Sequence, residues 1–208
     1  MTDLDPFYPI VDSADWVRRL VPAGTKLIQL RIKDRSAGQV RSEVREALAI
    51  CARHAAQLVV NDHWQIALEE GATFVHLGQG DLDDTDLKAI RGRNVRLGVS
   101  THDHAELDRA MATDPDYVAL GPIYPTTLKV MPWAPQSLER IGEWKRLIGR
   151  RPLVAIGGIT LERARLCLDA GADSVAVVTD IIRHPEPVTH ARAWLAATRE
   201  QAGARASV

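Results

Sequence analysis

The stretch KLIQLRIKD, residues 26–34, decides how the chain folds. As a β-strand, its side chains alternate between two faces. Leu30 and Ile32 then point one way, and Gln29, Arg31 and Lys33 the other. On a solvent-facing strand an amide, a guanidinium and an ammonium in a row cost little. In a strand buried on both faces they need a reason, so the reading turns on what surrounds this segment.

Seven similar short runs accompany it: FYPIVD (7–12), QLVVN (57–61), FVHLG (74–78), RLGVS (96–100), YVALG (117–121), LVAIGG (153–158) and SVAVVT (174–179). Each of the eight strand candidates is followed by a helix-like segment, at 13–22, 37–55, 63–70, 84–91, 103–113, 136–149, 160–170 and 187–200. In the second of these, Val40, Val44, Ala47, Leu48, Cys51 and Ala55 recur at helical spacing with charge opposite. Ser13 is placed to cap the first helix, and Asp103 with Glu106 to form a capping box on the fifth. Gly71 and Gly171 stand just past two helices, where a left-handed cap favours glycine. Strand–helix alternation repeated eight times predicts one α/β domain, a (β/α)8 TIM barrel over residues 1–208. The alternative is an open doubly wound sheet, but no G-x-G-x-x-G follows the first strand and no G-x-x-x-x-G-K-[ST] occurs. The tail at 201–208 is expected to fray.

Bulk properties narrow the function. Hydrophobic content is 46%, charged content 25% and formal net charge -1, so no global field calls for nucleic acid or a membrane surface as partner. No run approaches the ~20 apolar residues of a membrane span, and from the acidic start MTDLDPFYPIVD, which has no long apolar run, no signal peptide is expected. Cys51 and Cys167 suggest no disulfide framework, which places the chain by default in a reducing cytoplasm. Homo-oligomerisation is left open.

Every barrel strand is buried on both faces, and active sites form at the strands' carboxyl ends. Polar residues collect at those ends: Gln29, Arg31 and Lys33 on strand two, Asn61 and Asp62 after strand three, Gln79 and Asp81 after strand four, Ser100 on strand five, and Thr126, Thr127 and Lys129 after strand six. The plainest reading is a structural network in which Arg31 and Lys33 pair with Asp62 and Asp81. Buried charges cost several kcal/mol each unless paired, so three cations and two carboxylates are an expensive device for stability alone. Phosphate explains them better. Arg31, Lys33, Asn61, Ser100 and Lys129 form one anion seat. Asp62 and Asp81 cannot face phosphate oxygens unaided, and a Mg²⁺ between them removes the conflict. AIGGI (155–159) and VVTDI (177–181) follow strands seven and eight, the usual phosphate position of this fold, and the latter is expected to open a short helical turn. Two phosphorylated small molecules, one a metal diphosphate, are the expected ligands. Other candidates rank below: His102 and His104 form an H-x-H with no third zinc ligand, His76 is read as a satisfied interior residue, four of five tryptophans as helix packing, and Trp133 as a cover for the site.

Taken in order, QLRIKD, VVNDHWQIALEEGATFVHLGQGDL, LGVSTHDHAEL, DYVALGPIYPTTLK and VAIGGI resemble the thiamine-phosphate synthase family over nearly the whole chain. The resemblance implies a transferase that joins hydroxymethylpyrimidine diphosphate to a thiazole phosphate, giving thiamine phosphate and diphosphate after loss of the leaving group to a pyrimidinylmethyl cation. It implies that Arg31, Lys33, Asn61 and Lys129 hold the diphosphate and Ser100 donates to it, with Asp62 and Asp81 on Mg²⁺ and Gln29 on the pyrimidine. Gly158, Val178 and Thr179 would hold the thiazole phosphate and Thr126 contact the thiazole. The sequence departs from the family at Leu128, where a second threonine is usual, in VMPWAPQ, which lacks a glycine-bearing run, and at Thr179, where serine is common. The alternatives are a thiazole tautomerase of the same fold, for which strand six lacks a histidine, and a non-catalytic paralogue that binds thiazole or thiamine phosphate.

Overall fold

The β-rich runs pair in parallel, in chain order, and the last closes on the first. The computed structural model describes residues 4–126 and 133–206. Its order is β1 (Phe7–Val11), α1 (Ala14–Leu20), β2 (Leu27–Leu30), α2 (Ala37–Arg53), β3 (Gln57–Asn61), α3 (Trp64–Glu69), β4 (Phe74–Leu77), α4 (Leu87–Gly92), β5 (Arg96–Thr101), α5 (His104–Ala112), β6 (Tyr117–Leu120), α6 (Ser137–Ile148), β7 (Leu153–Ile156), α7 (Leu161–Asp169), β8 (Ser174–Val177), α8 (Thr179–Ile182) and α9 (Pro187–Ala206). The sheet is a closed barrel, β1 through β8, sealed by pairing of Phe7, Tyr8 and Pro9 with Val175, Ala176 and Val177. The expected single (β/α)8 domain is what forms.

The alternation in β2 separates two cores. Leu30 and Ile32 belong to the larger cluster between barrel and helices, with Val44, Val60, Trp144 and Trp194. The smaller cluster fills the lumen with Tyr8, Ile10, Leu27, Val59, Phe74, Tyr117, Ala119, Val154 and Ala176. Gln29 sits among them, only 2% exposed. The polar face of KLIQLRIKD is therefore an interior face, opening upward at Arg31 and Lys33.

Local details depart from expectation in two places. Ser13 occupies the cap position of α1 but its side chain makes no cap bond; Ala14 N donates instead to Glu43 Oε2 of α2 at 2.5 Å. Asp103 does accept from Glu106 N at 2.9 Å, yet Glu106 reaches past it to His102, whose backbone N and ring Nδ1 lie 2.8 and 2.6 Å from Glu106 Oε2. α9 runs from Pro187 to Ala206. Gly71 and Gly171 take the expected positive φ, +79° and +116°.

Candidate active site

One cavity of about 790 Å³ opens at the carboxyl ends of the strands. Arg31, Lys33, Asn61, Asp62, Asp81 and Ser100 line one wall, and Gly158, Val178 and Thr179 the other, with Thr126 also on its surface. Residues from seven strands or their following loops thus meet at one rim. Lys129 and Leu128 lie outside the described residues. Gln29 lies deeper, in a chamber of about 100 Å³ beneath the cavity that it shares with Tyr8, His76, Tyr117, Arg31, Asn61 and Ser100.

The first wall is built of side chains. Asn61 ends β3 and is 5% exposed, and its Nδ2 is a buried donor without a partner. Such a group is costly unless something arrives to accept from it. Arg31 has no carboxylate partner among the described residues, whereas Lys33 pairs with Asp62. The structural network envisaged from sequence therefore forms only in that one pair. Asp62 stands at φ +61°, where β3 turns toward α3, and Asp62 N donates to His76 O at 2.9 Å. This backbone turn aims the carboxylate into the cavity. Burial opposes its ionisation, but the hydrogen bond and charge of Lys33 outweigh that and hold the carboxyl below the usual range. Burial and the neighbouring Asp62 charge push Asp81 the other way, upward. Two carboxyls that meet at one spot and are driven apart in this manner form a hard-oxygen pair short of positive charge. No group of three or more His, Cys, Asp or Glu gathers among the described residues, so a cation held here would complete its shell with water or ligand oxygens.

The second wall is built of backbone. Gly157 and Gly158 have φ of +102° and +63°, and a Cβ at Gly158 would lie 2.3 Å from Pro125 O. Only glycine fits there, and consecutive backbone turns of this kind present N–H groups to an anion. Arg163 Nη1 donates to Gly158 O at 2.7 Å while its guanidinium lies 4.5 Å above the Tyr124 ring, which fixes the turn from behind. Val178 caps the single-turn α8 that Thr179 begins. Asp180 Oδ2 accepts from Trp194 Nε1 at 2.8 Å and lies 2.7 Å from His190 Nε2, anchoring α8 to α9. Arg163, Asp180 and His190 escaped the sequence reading because nothing in their spacing marks them; the tryptophan read as packing also carries this polar bond.

Near the mouth, Trp133 stacks on His102 at 3.9 Å and 11°, placing both on the cavity wall, whereas His104 turns away to Glu143. The H-x-H pair does not converge. Gln79 Nε2 donates to Ser100 O at 2.7 Å and Glu106 O at 3.2 Å, bracing β5, and its buried Oε1 has no partner. His76 is satisfied at both nitrogens, as expected of an interior residue, by Tyr117 Oη at 2.7 Å and Ser100 Oγ at 2.8 Å. Burial lowers its pKa to about 4, so the ring is neutral at pH 7.

Residues 7–181 match the family model described as thiamine monophosphate synthase. The chain belongs to the thiamine monophosphate synthase family. A thiamine-phosphate synthase of Rhizobium etli is 62% identical over 195 residues, 94% of this chain and 96% of its own. One from Citrobacter koseri is 50% identical over 176 residues, 85% and 83% of the two chains. The solved thiamine phosphate pyrophosphorylase of Pyrococcus furiosus shares the fold at a TM-score of 0.82 and 24% identity, covering 95% of this chain and 96% of that one. Membership makes the protein a transferase with thiamine-phosphate synthase activity. No helix among the described residues is long and apolar enough to cross a membrane.

Proposed function

We propose that the side-chain wall binds hydroxymethylpyrimidine diphosphate and the backbone wall a thiazole phosphate, and that loss of diphosphate leaves a cation which the thiazole nitrogen captures to give thiamine phosphate. The carrying observation is the cavity itself: an unpartnered buried amide donor, a guanidinium with no carboxylate partner among the described residues and a carboxylate pair face a glycine turn and a helix start across one space.

The chemistry asks little covalent work of the protein. The pyrimidinylmethyl carbon–oxygen bond breaks and its electron pair leaves with diphosphate; the thiazole nitrogen's lone pair then forms the carbon–nitrogen bond to the resulting cation. Arg31, Lys33, Asn61 and Ser100, with Lys129, which follows strand six in the sequence, neutralise charge as it builds on the leaving oxygens. Asp62 and Asp81 would hold Mg²⁺, which supplies further neutralisation when bound. Gln29, below, orients the pyrimidine end. Gly158, Val178 and Thr179 fix the thiazole phosphate, and Thr126 borders the thiazole, so the two reactants meet already aligned.

The test is purified protein with both substrates and Mg²⁺, followed for thiamine phosphate. Product that appears only with a divalent cation and stops in EDTA is the expected result. Binding of both substrates without product favours the non-catalytic paralogue, and undiminished turnover in EDTA removes the metal from the scheme.

A further inference from the structure

The lumen below the cavity holds a polar chain that the reaction as written does not use. Gln29 Nε2 donates to Tyr8 Oη at 2.9 Å, Tyr8 Oη lies 3.0 Å from Tyr117 Oη, Tyr117 Oη 2.7 Å from His76 Nδ1, and His76 Nε2 2.8 Å from Ser100 Oγ. Five strands contribute one member each. Tyr8, Gln29 and Tyr117 are 1%, 2% and 0% exposed, and His76 8%. A buried polar network of this size is costly unless every member is satisfied. The barrel also gives up packing to make room: a Cβ at Gly98, in the middle of β5, would lie 2.1 Å from Tyr117 Cζ. Tyr117 is further held edge-on to Tyr8 and Phe74 and stacked at 15° on His76.

We infer that Tyr8, Tyr117 and His76 form a one-way hydrogen-bond relay, started by the Gln29 amide, that fixes Ser100 as a hydroxyl donor toward the cavity. The direction follows from counting hydrogens. An amide nitrogen only donates, so Tyr8 Oη accepts from Gln29. Burial keeps both phenols protonated, and each has one hydrogen to give. Tyr8 gives its hydrogen to Tyr117, and Tyr117 gives its own to His76 Nδ1. The neutral imidazole then carries its hydrogen on Nε2 and donates it to Ser100 Oγ. Ser100, already an acceptor, has its own hydrogen left for the space above. In the reverse direction Tyr8 Oη would receive two hydrogens and its own would have no acceptor in the chain. Tyr8, Tyr117 and His76 are positioning residues. Their effect reaches the reaction through Ser100, which lines the cavity where the leaving oxygens would sit. The acceptor's identity rests on the proposed function; the direction of the relay rests on the Gln29 amide standing with its nitrogen, not its oxygen, against Tyr8 Oη.

The test combines a spectroscopic and a kinetic readout on the full chain. With ¹⁵N-histidine labelling, and His76 assigned by its disappearance in His76→Gln, the wild-type ring is expected as the neutral Nε2–H tautomer. Tyr117→Phe removes the hydrogen given to Nδ1; the Nδ1 resonance should move to the position of a lone pair without a hydrogen bond, and kcat should fall about tenfold with the KM for the pyrimidine diphosphate nearly unchanged. Ser100→Ala should lose at least as much, and the double variant no more than Ser100→Ala alone. His76→Gln keeps a donor near the Nε2 position and should retain more activity than His76→Leu. If Tyr117→Phe does not fold, judged by circular dichroism, Tyr8→Phe breaks the relay one link earlier. An Nδ1–H ring in the wild type, an unchanged Nδ1 resonance and rate in Tyr117→Phe, or additive losses in the double variant overturns the relay. A wild-type protein that makes no thiamine phosphate overturns the functional reading, and the tautomer then still decides the relay by itself.

Discussion

The two walls of the cavity are made of different materials. Toward β2, β3 and β4, the proposed recognition rests on side chains: Arg31, Asn61, Asp62 and Asp81, each with its own degree of burial. Toward β7 and β8 it rests on main chain, shaped by Gly157 and Gly158 and by the single turn of α8. A wall of side chains is tuned residue by residue and is sensitive to truncation. A wall of backbone tolerates changed side chains and fails when the main chain can no longer take its path. The contrast suits the two ligands. A leaving diphosphate needs charge that strengthens in the transition state, whereas a bound phosphate that does not react needs only placement.

The largest effect should come from removing the carboxylate pair. Asp62→Ala or Asp81→Ala is expected to lower Mg²⁺-dependent kcat about a thousandfold while circular dichroism stays native. Magnesium titration of both variants checks this. Next is the opposite wall. Gly158→Ala forces a Cβ to within 2.3 Å of Pro125 O at a φ of +63°, and a displacement on that scale should raise the thiazole phosphate KM about a hundredfold without touching the pyrimidine diphosphate KM. Thr179→Ala alters only a side chain on the same wall and should change that KM by less than about threefold. If the two variants behave alike, the wall is not made of backbone. Arg31→Ala should raise the pyrimidine diphosphate KM by about 10- to 100-fold and leave the thiazole phosphate KM alone. Equal weakening of both would mean that the walls are assigned the wrong way round.

This contrast also governs what was legible in the sequence. Gln29, Arg31, Asn61, Asp62, Asp81 and Ser100 announce themselves by type and by position at strand ends, and the structure brings them to one rim or directly below it. Gly158 and Thr179 were reachable through the fold's usual phosphate position. The residues that hold them were not. Arg163 acts on a carbonyl five residues away, and Asp180 meets Trp194 only because α9 folds back over α8. The fold itself was readable because eight β-rich runs alternate with amphipathic segments, and closure follows from the count. The roles of Tyr8, Tyr117 and Gly98 stayed hidden because each looks like an ordinary strand residue. Only the register that lays Tyr117 across Gly98 reveals them.

The side-chain wall carries a stability cost that the backbone wall does not, and His76 makes it measurable. Its pKa is lowered from 6.5 to about 4, first by burial; the Arg31 charge adds to this and the Asp62 charge opposes it. Between those values the unfolded chain binds a proton at this site that the folded chain refuses. Stability is therefore fully present above pH 6.5 and falls as pH drops toward 4. The loss between pH 7 and 5.5 should be about 1 kcal/mol, the smallest effect in this series. Urea denaturation of the wild type and of His76→Gln at several pH values isolates it, because the other histidines contribute equally to both proteins. The variant should show a flatter decline by one proton's worth of slope. Parallel curves would mean that His76 takes up its proton in the folded state as readily as in the unfolded chain, and that this wall is wetter than its burial implies.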